Sequence, residues 1–534
     1  MKFDSRRSPV YTTHGMVASS QPLASAAGLH ILQVGGNAAD AAVATAAALN
    51  VTEPSSTGIG GDCFCLYYHA EKGRVLGLNG SGRSPAALTP DLLYNLGYDT
   101  MPRNGVYTVT VPGAAAGWVD TLECFGTMEL GKVLEPAIRL AEDGFPVAPL
   151  TARAWALGVS SLKSGPHSEE MLIDGRAPRT GELMRNPTLA QTFRTLADHG
   201  KQGFYEGRIA EAIVELLDSK CGVMTTEDLK YHKSTFPDPI SVDYKGTEVV
   251  EIPPNGQGIT ALIALNILEG YSLEGIKHSS VSHLHTLIEA MRIAFADARW
   301  YIADPDIVHV PIDELISKGY AAERRRLINS AAALVTVGRG SPFAGSDTVY
   351  FCTVDGEGNA CSFINSNYMG FGTGLIPKGC GFTLQNRGAN FTLEKGHPNR
   401  LEPEKRPYHT IIPGMMLRDG LLHGPFGVMG GFMQPQGHVQ VVVNMVDYGM
   451  NPQEALDAPR FNIVDGTSGG NILLEEGIAP ETIAALTSLG HKVVPASGYT
   501  RVSFGRGQII LRDPETGILC AGSDSRADGQ AVGW

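Results

Sequence analysis

The chain has 534 residues, 43% hydrophobic and 18% charged, which is ordinary globular composition with ample material for a large core. Its net charge of −13 argues against nucleic acid as a partner, since phosphate binding needs clustered Lys and Arg. No apolar run is long enough for a membrane span, no apolar segment of a signal peptide follows Met1–Pro9, and the eight cysteines form no C-x-x-C pair, so free thiols and a cytoplasmic setting are expected.

In chain order, residues 17–51 read as a strand followed by a buried helix, with Gly35-Gly36-Asn37 opening an alanine-dense run from Ala38 to Leu49. A turn-rich stretch, Glu53 to Asp62, leads into a strand at 63–69, and residues 74–80 read as its hairpin partner. Residues 130–220 are mostly helical by period, and 279–303 carry the clearest helix. His283 and His285 on that helix are two apart and face different sides, so they read as surface or cap residues and not as a metal pair. Residues 331–347 are looser, with Gly338, Gly340, Pro342 and Gly345 close together. Beyond them the expected strands are 348–354, 360–366, 410–417, 438–445 and 507–511. No internal repeat or low-complexity linker appears, so the chain reads as one compact unit.

Thr348–Asp355 and Ala360–Ser366 are two β-rich runs flanking the turn cluster Gly356-Glu357-Gly358-Asn359, the pattern of a hairpin. Pairing Asp355 with Asn359 places Thr348 opposite Ser366, hydroxyl beside hydroxyl, although a slip of one residue would turn Ser366 to the other face. The segment by itself is equally a plain core hairpin with Thr in its usual strand role.

The flanking segments read together resemble the γ-glutamyltranspeptidase family of N-terminal-nucleophile hydrolases over nearly the whole chain. The matching stretches are Gly35-Gly36-Asn37-Ala38-Ala39-Asp40-Ala41-Ala42, Gly58-Ile59-Gly60-Gly61, Val111-Pro112-Gly113, Pro253-Pro254-Asn255-Gly256-Gln257-Gly258, Glu289-Ala290 through Ala296-Asp297, and Asp304-Pro305-Asp306. They continue with Thr348, Asp355 with Gly358-Asn359, Phe371-Gly372-Thr373-Gly374, Arg406-Pro407 and Gly430-Gly431. The resemblance implies an α+β fold, a four-layer αββα sandwich, made as a proenzyme that cuts itself between Asp347 and Thr348 into a large chain, 1–347, and a small chain, 348–534. The new α-amine would serve Thr348 as base, because a free α-amine titrates near pH 7.7–8.0 and an internal Thr has none. Gly430 and Gly431 would supply oxyanion N–H donors, their other reading being a tight turn, and Ser366 would hydrogen-bond the nucleophile and assist processing.

Several positions depart from the glutathione-cleaving members of that family. The residues after the nucleophile are Val349 and Tyr350, where those members carry a small hydroxyl residue and His. Their Asn is Tyr368 here, their Gln and Asp that hold the substrate ammonium are Arg387 and Asn390, and their serine pair is His409-Thr410. Their carboxylate-gripping Arg falls near Ser81, with Arg83 two residues on. An ammonium group needs a carboxylate partner, and Arg387 would repel it, whereas a substrate with a carboxylate and no amine suits Arg83 and Arg387. A structural ion pair is the other reading of Arg387, and a structural role that of Arg83. The span between Phe391 and Arg406 is short for the family's lid loop, which favours hydrolysis over transfer.

These features imply an enzyme of the branch containing oxamate amidohydrolase, cephalosporin acylase-like and lidless glutathione hydrolase-like proteins. The expected partner is a small amide, with oxamate the leading candidate. The alternatives are γ-glutamyl transfer with glutathione hydrolysis, a cephalosporin-like amide, and an inactive family member acting as a binding protein. No cofactor, metal, nucleic acid or membrane is expected, and a homodimer is compatible with the sequence. A Ser-His-Asp hydrolase is disfavoured by the lack of a G-x-S-x-G elbow, and a metal hydrolase by the lack of clustered ligands.

Overall fold

The structure, a computed structural model, describes residues 7–334, 347–467 and 469–534. Most of the loose segment expected at 331–347 therefore lies outside the described residues.

Two antiparallel sheets stack face to face between two helical layers, giving the four-layer αββα sandwich. The first sheet runs in the order Gln530–Gly533, Met16–Ser19, Asp347–Val354, Ala360–Tyr368, Asp62–His69 and Arg74–Gly80. The second runs Val10–Thr12, Leu519–Ser523, Gly507–Arg512, Leu421–Val428, Gly414–Arg418, Thr247–Glu251 and Ile240–Tyr244. Each sheet mixes strands from both halves of the sequence.

Helices Pro22–Gln33, Ala38–Thr52, Ala114–Phe125 and Leu130–Asp143 cover the first sheet. Every residue of Ala38–Thr52 is buried, and its alanines let the helix lie close to the strands beneath. The helix begins at Asn37, whose side chain accepts from the N–H groups of Ala39 and Asp40, while Asp40 returns a bond to the Asn37 N–H. This reciprocal cap satisfies donors that the first turn would otherwise leave buried and unpaired.

On the other side, Gly258–Glu269, Val281–Tyr301 and Met433–Val446 pack on the second sheet around a separate apolar core. The run expected as a strand at 438–445 lies in this last helix. Its valines suit either structure, but Gln436, Gln440 and Asn444 recur every fourth residue. Gln436 and Gln440 accept the N–H groups of Ile463 and Phe461 at 2.7 and 3.0 Å, so the polar ridge of a helix holds the neighbouring strand. The strand expected at 410–417 begins only at Gly414.

His283 and His285 are buried, not surface residues. His285 contacts His491 at 2.8 Å and donates through Nε2 to the Asn329 carbonyl, and Glu289 completes a buried group whose ligand atoms lie within 4.8 Å of one another. The sequence alone did not reveal this convergence. Arg292, 3.9 Å from Glu289, already supplies positive charge there. Among the described residues no helix is long and apolar enough to cross a membrane.

Candidate active site

The site is built on the hairpin of Asp347–Val354 and Ala360–Tyr368. Its register keeps Ala360 opposite Val354 through Asn365 opposite Val349, as the alternation and the turn cluster predict. The ladder then shifts, so that Tyr368 pairs with Asp347. Tyr368 has a φ of 76°, a left-handed conformation uncommon for a residue with a side chain, and its N–H donates to Ser366 Oγ at 2.9 Å. The bulge thereby aims Ser366 at the start of the strand, and its Oγ lies 3.0 Å from Thr348 Oγ1, with both side chains buried.

Two glycines of the Gly58–Gly61 stretch permit this arrangement. A Cβ on Gly61 would stand 2.3 Å from the Ser366 carbonyl oxygen, and one on Gly60 would stand 2.3 Å from that of Thr383. Asn365 fixes the same corner, accepting from the Trp118 indole at 2.9 Å and donating to the Gly58 carbonyl at 3.0 Å.

From Ser366 a hydrogen-bonded path crosses the site. Arg387 donates to Ser366 Oγ at 3.1 Å and to Thr410 Oγ1 at 2.7 Å. The carbonyl of Thr410 accepts from Gln257 Nε2 at 2.6 Å, and the same amide donates to the Gly431 carbonyl at 2.8 Å. Tyr408 completes the hold on Gln257, its hydroxyl donating to Oε1 at 2.9 Å. Gly430 and Gly431 take φ values of 124° and 59°, which glycine adopts without strain. Among the described residues their N–H groups donate to nothing, the condition an oxyanion site requires.

Arg387 is fully buried, and among the described residues no carboxylate pairs with it. Its Nε has no partner there, and its guanidinium stands 4.4 Å from the Tyr368 ring centroid. Burial pulls its pKa down to about 10, so it stays cationic at neutral pH.

The balancing charge is Asp62. Burial alone would raise its pKa, but the His409 hydrogen bond, the charge of Arg387 and the Gly82 N–H together hold it below the ordinary carboxylate value. Its oxygens accept from Gly82, Gly113 and Gln385, and His409 Nε2 donates at 3.0 Å. His409 accepts the Ile411 N–H at Nδ1, which assigns the proton to Nε2. Burial first, and Arg387 second, push its pKa down to about 3, so it is neutral.

The comparisons with known proteins now decide the family. The gamma-glutamyltranspeptidase family model matches residues 24–534. The chain belongs to the gamma-glutamyltranspeptidase family. It is 39% identical over 530 residues to a glutathione hydrolase-like proenzyme of Bacillus subtilis, covering 98% of this chain and 99% of that one. It is 33% identical to an oxamate amidohydrolase proenzyme of Klebsiella pneumoniae, covering 98% and 99%. The crystal structure of a cephalosporin acylase from Bacillus halodurans superposes with a TM-score of 0.93 at 45% identity, covering 100% of this chain and 98% of that one. The chain is thus an amidohydrolase of the gamma-glutamyltranspeptidase family with the N-terminal-nucleophile fold.

Of the family positions read from the sequence, the contacts above link Thr348, Ser366, Tyr368, Arg387, Thr410 and Gly431, while His409 is held by Asp62 and Gly430 is the chain neighbour of Gly431. Asn390 stands apart. It closes the short turn Arg387–Asn390 and lines a cavity of about 420 Å³ with Arg299, Trp300, His397 and Tyr408. Its Nδ2 is buried without a partner among the described residues. Arg83 is engaged elsewhere, with Asp306 at 3.0 Å on a partly exposed edge.

Asp62 and Gln257 are the residues whose place in the site the sequence did not disclose. Both lie in matching or adjacent stretches, but nothing local ties Asp62 to His409 or Gln257 to the diglycine.

Proposed function

We propose that the chain cuts itself between Asp347 and Thr348, leaving chains 1–347 and 348–534 held together, and that Thr348 then hydrolyses a small amide whose acyl part carries a carboxylate and no amine. The observation that carries this reading is the 3.0 Å contact of Thr348 with Ser366, with Arg387, buried and in contact with no carboxylate among the described residues, one hydrogen bond further on. A buried cation of that kind invites a carboxylate, which guanidinium binds through two parallel hydrogen bonds.

In the self-cutting step Thr348 Oγ1 would attack the Asp347 carbonyl carbon, and its proton would pass to the departing Thr348 nitrogen. That shift frees the α-amine and leaves an ester between Asp347 and Oγ1, and water then hydrolyses the ester to free the Thr348 hydroxyl and the Asp347 carboxylate. In turnover that amine accepts the Oγ1 proton as oxygen attacks the substrate carbonyl. The carbonyl electron pair moves onto oxygen, which the N–H groups of Gly430 and Gly431 would receive. The proton passes to the leaving nitrogen as the C–N bond breaks, and water releases the acid.

Oxamate is the first candidate, being a small amide with a carboxylate and no amine. The 33% identical relative named for that activity supports it, and the cephalosporin acylase likeness keeps longer carboxylate-bearing acyl groups in view. Purified protein should run as two bands and Thr348→Ala as one. Steady-state hydrolysis of oxamate, succinamate, glutaramate and γ-glutamyl-p-nitroanilide then ranks the donors. Uncut wild-type protein defeats the self-processing reading, and a strong preference for the γ-glutamyl substrate defeats the carboxylate reading.

A further inference from the structure

We propose that Arg387 sets the proton affinity of the catalytic amine, holding it low in the free enzyme and releasing it when a substrate carboxylate arrives. This inference rests on the proposed role of Thr348 and extends it to the timing of proton transfer.

Arg387 touches Ser366 at 3.1 Å, and Ser366 touches Thr348 at 3.0 Å, so the guanidinium stands two hydrogen bonds from the nucleophile. The other groups around the site leave that charge distinctive. On the strand Asp62–His69, Asp62 carries a negative charge and is held by His409 and three further donors. His409 is neutral. Tyr350, on the nucleophile strand, is engaged with Ser362, and burial keeps its phenol protonated. Tyr368 turns its ring toward Arg387. Arg406 is met by Asp306, and Arg506 by Glu53. Arg387 alone is a buried cation with an unpartnered nitrogen among the described residues and no carboxylate in contact.

A unit charge at that range lowers the pKa of an amine by about one pH unit. A free α-amine would then titrate near neutrality, so about half or more of it is unprotonated at neutral pH before substrate binds. A carboxylate seated on Arg387 cancels the charge, and the amine becomes the stronger base as the Thr348 Oγ1 proton must leave. The proton moves from Oγ1 to the amine nitrogen, and no further reactant is needed. Arg387 thus acts as a positioning residue whose charge works through the base.

The test is the pH dependence of carbamylation of the Thr348 amine by cyanate, read as the mass of the small chain. It is run on the processed enzyme as wild type, Arg387→Gln and Arg387→Lys, each with and without saturating oxalate. The midpoint is read, because crowding by oxalate slows the reaction without moving it. Expected is a midpoint about one pH unit higher in Arg387→Gln than in wild type, near wild type in Arg387→Lys, raised by oxalate in wild type, and unmoved by oxalate in Arg387→Gln. Equal midpoints in wild type and Arg387→Gln overturn the inference while two-band processing leaves the proposed function standing. Should Arg387→Gln fail to process, the oxalate arm on wild type decides, and an unmoved midpoint there overturns it. A wild-type chain that stays uncut overturns both.

Discussion

Asp62 lies directly across the sheet from Ser366, its pairing partner in the ladder between Asp62–His69 and Ala360–Tyr368. The Ser366 hydroxyl therefore has a fixed carboxylate on one neighbouring strand and Thr348 on the other. The negative charge of Asp62 offsets only part of the positive charge of Arg387, and His409, bonded to Asp62, is neutral.

Replacing Asp62 tests that balance. Asp62→Asn keeps an acceptor for the backbone donors but sets an amide against the Nε2–H of His409 and leaves Arg387 without its counter-charge. In a Thr348→Ala background, where the chain stays whole, the loss should be about 2–4 kcal/mol. Thermal and urea unfolding measure it, and unchanged stability would mean that Asp62 is a bystander.

Gly61→Ala would place a methyl 2.3 Å from the Ser366 carbonyl, against backbone that cannot swing aside. Ser366 must move, and with it the 3.0 Å contact to Thr348. Self-cleavage should slow at least tenfold, with a stability loss of about 1–3 kcal/mol. A time course of the two-band pattern reads the first effect.

Gln257→Leu removes the clamp on Thr410 and Gly431 and leaves the Tyr408 hydroxyl without its acceptor. Poorly aimed oxyanion donors lower kcat more than they raise KM, by roughly 10²-fold. A KM effect alone would move Gln257 from aiming the diglycine to binding the substrate.

Stability should fall steeply as pH drops below about 6.5. Burial pushes the pKa values of His232, His283, His409 and His491 down to about 3 and that of His423 to about 4. In the unfolded chain each takes a proton near pH 6.5, while the folded chain stays neutral, so the unfolded state binds more protons. Each such histidine removes up to about 1.4 kcal/mol per pH unit until its folded pKa is reached. Glu251, Glu289, Asp297 and Asp355, raised chiefly by burial, act in the opposite sense where they titrate. Melting temperatures of the Thr348→Ala protein from pH 8 to pH 5 should show the drop, and a flat profile would contradict it.

What the sequence disclosed was what proximity along the chain controls. The hairpin register followed from a four-residue turn and two alternating runs, and it placed Ser366 beside Thr348 within the same short segment. Neither the shift beyond Asn365 nor the left-handed Tyr368 has a local signature. His409 meets Asp62 across 347 positions of sequence, and His285 meets His491 across 206, which no pattern of spacing can reveal. The helix Met433–Val446 was hidden by valines that favour strands, although the four-residue recurrence of its amides was in plain view. Arg387 stood out for the reverse reason, as a charge that the resemblance did not lead one to expect there.

In the first sheet, Asp347–Val354 and Ala360–Tyr368 lie between Met16–Ser19 and Asp62–His69, and the second sheet interleaves early and late strands in the same way. A cut at Asp347–Thr348 therefore yields two polypeptides woven through each other, with no surface along which they could part intact. Their separation is unfolding, and their rejoining is a bimolecular search in place of a chain closing on itself. The uncut precursor carries connectivity that the mature enzyme has spent, so folding runs one way: once denatured, the processed protein should recover activity only slowly and in proportion to its concentration, where uncut Thr348→Ala refolds at a rate independent of it.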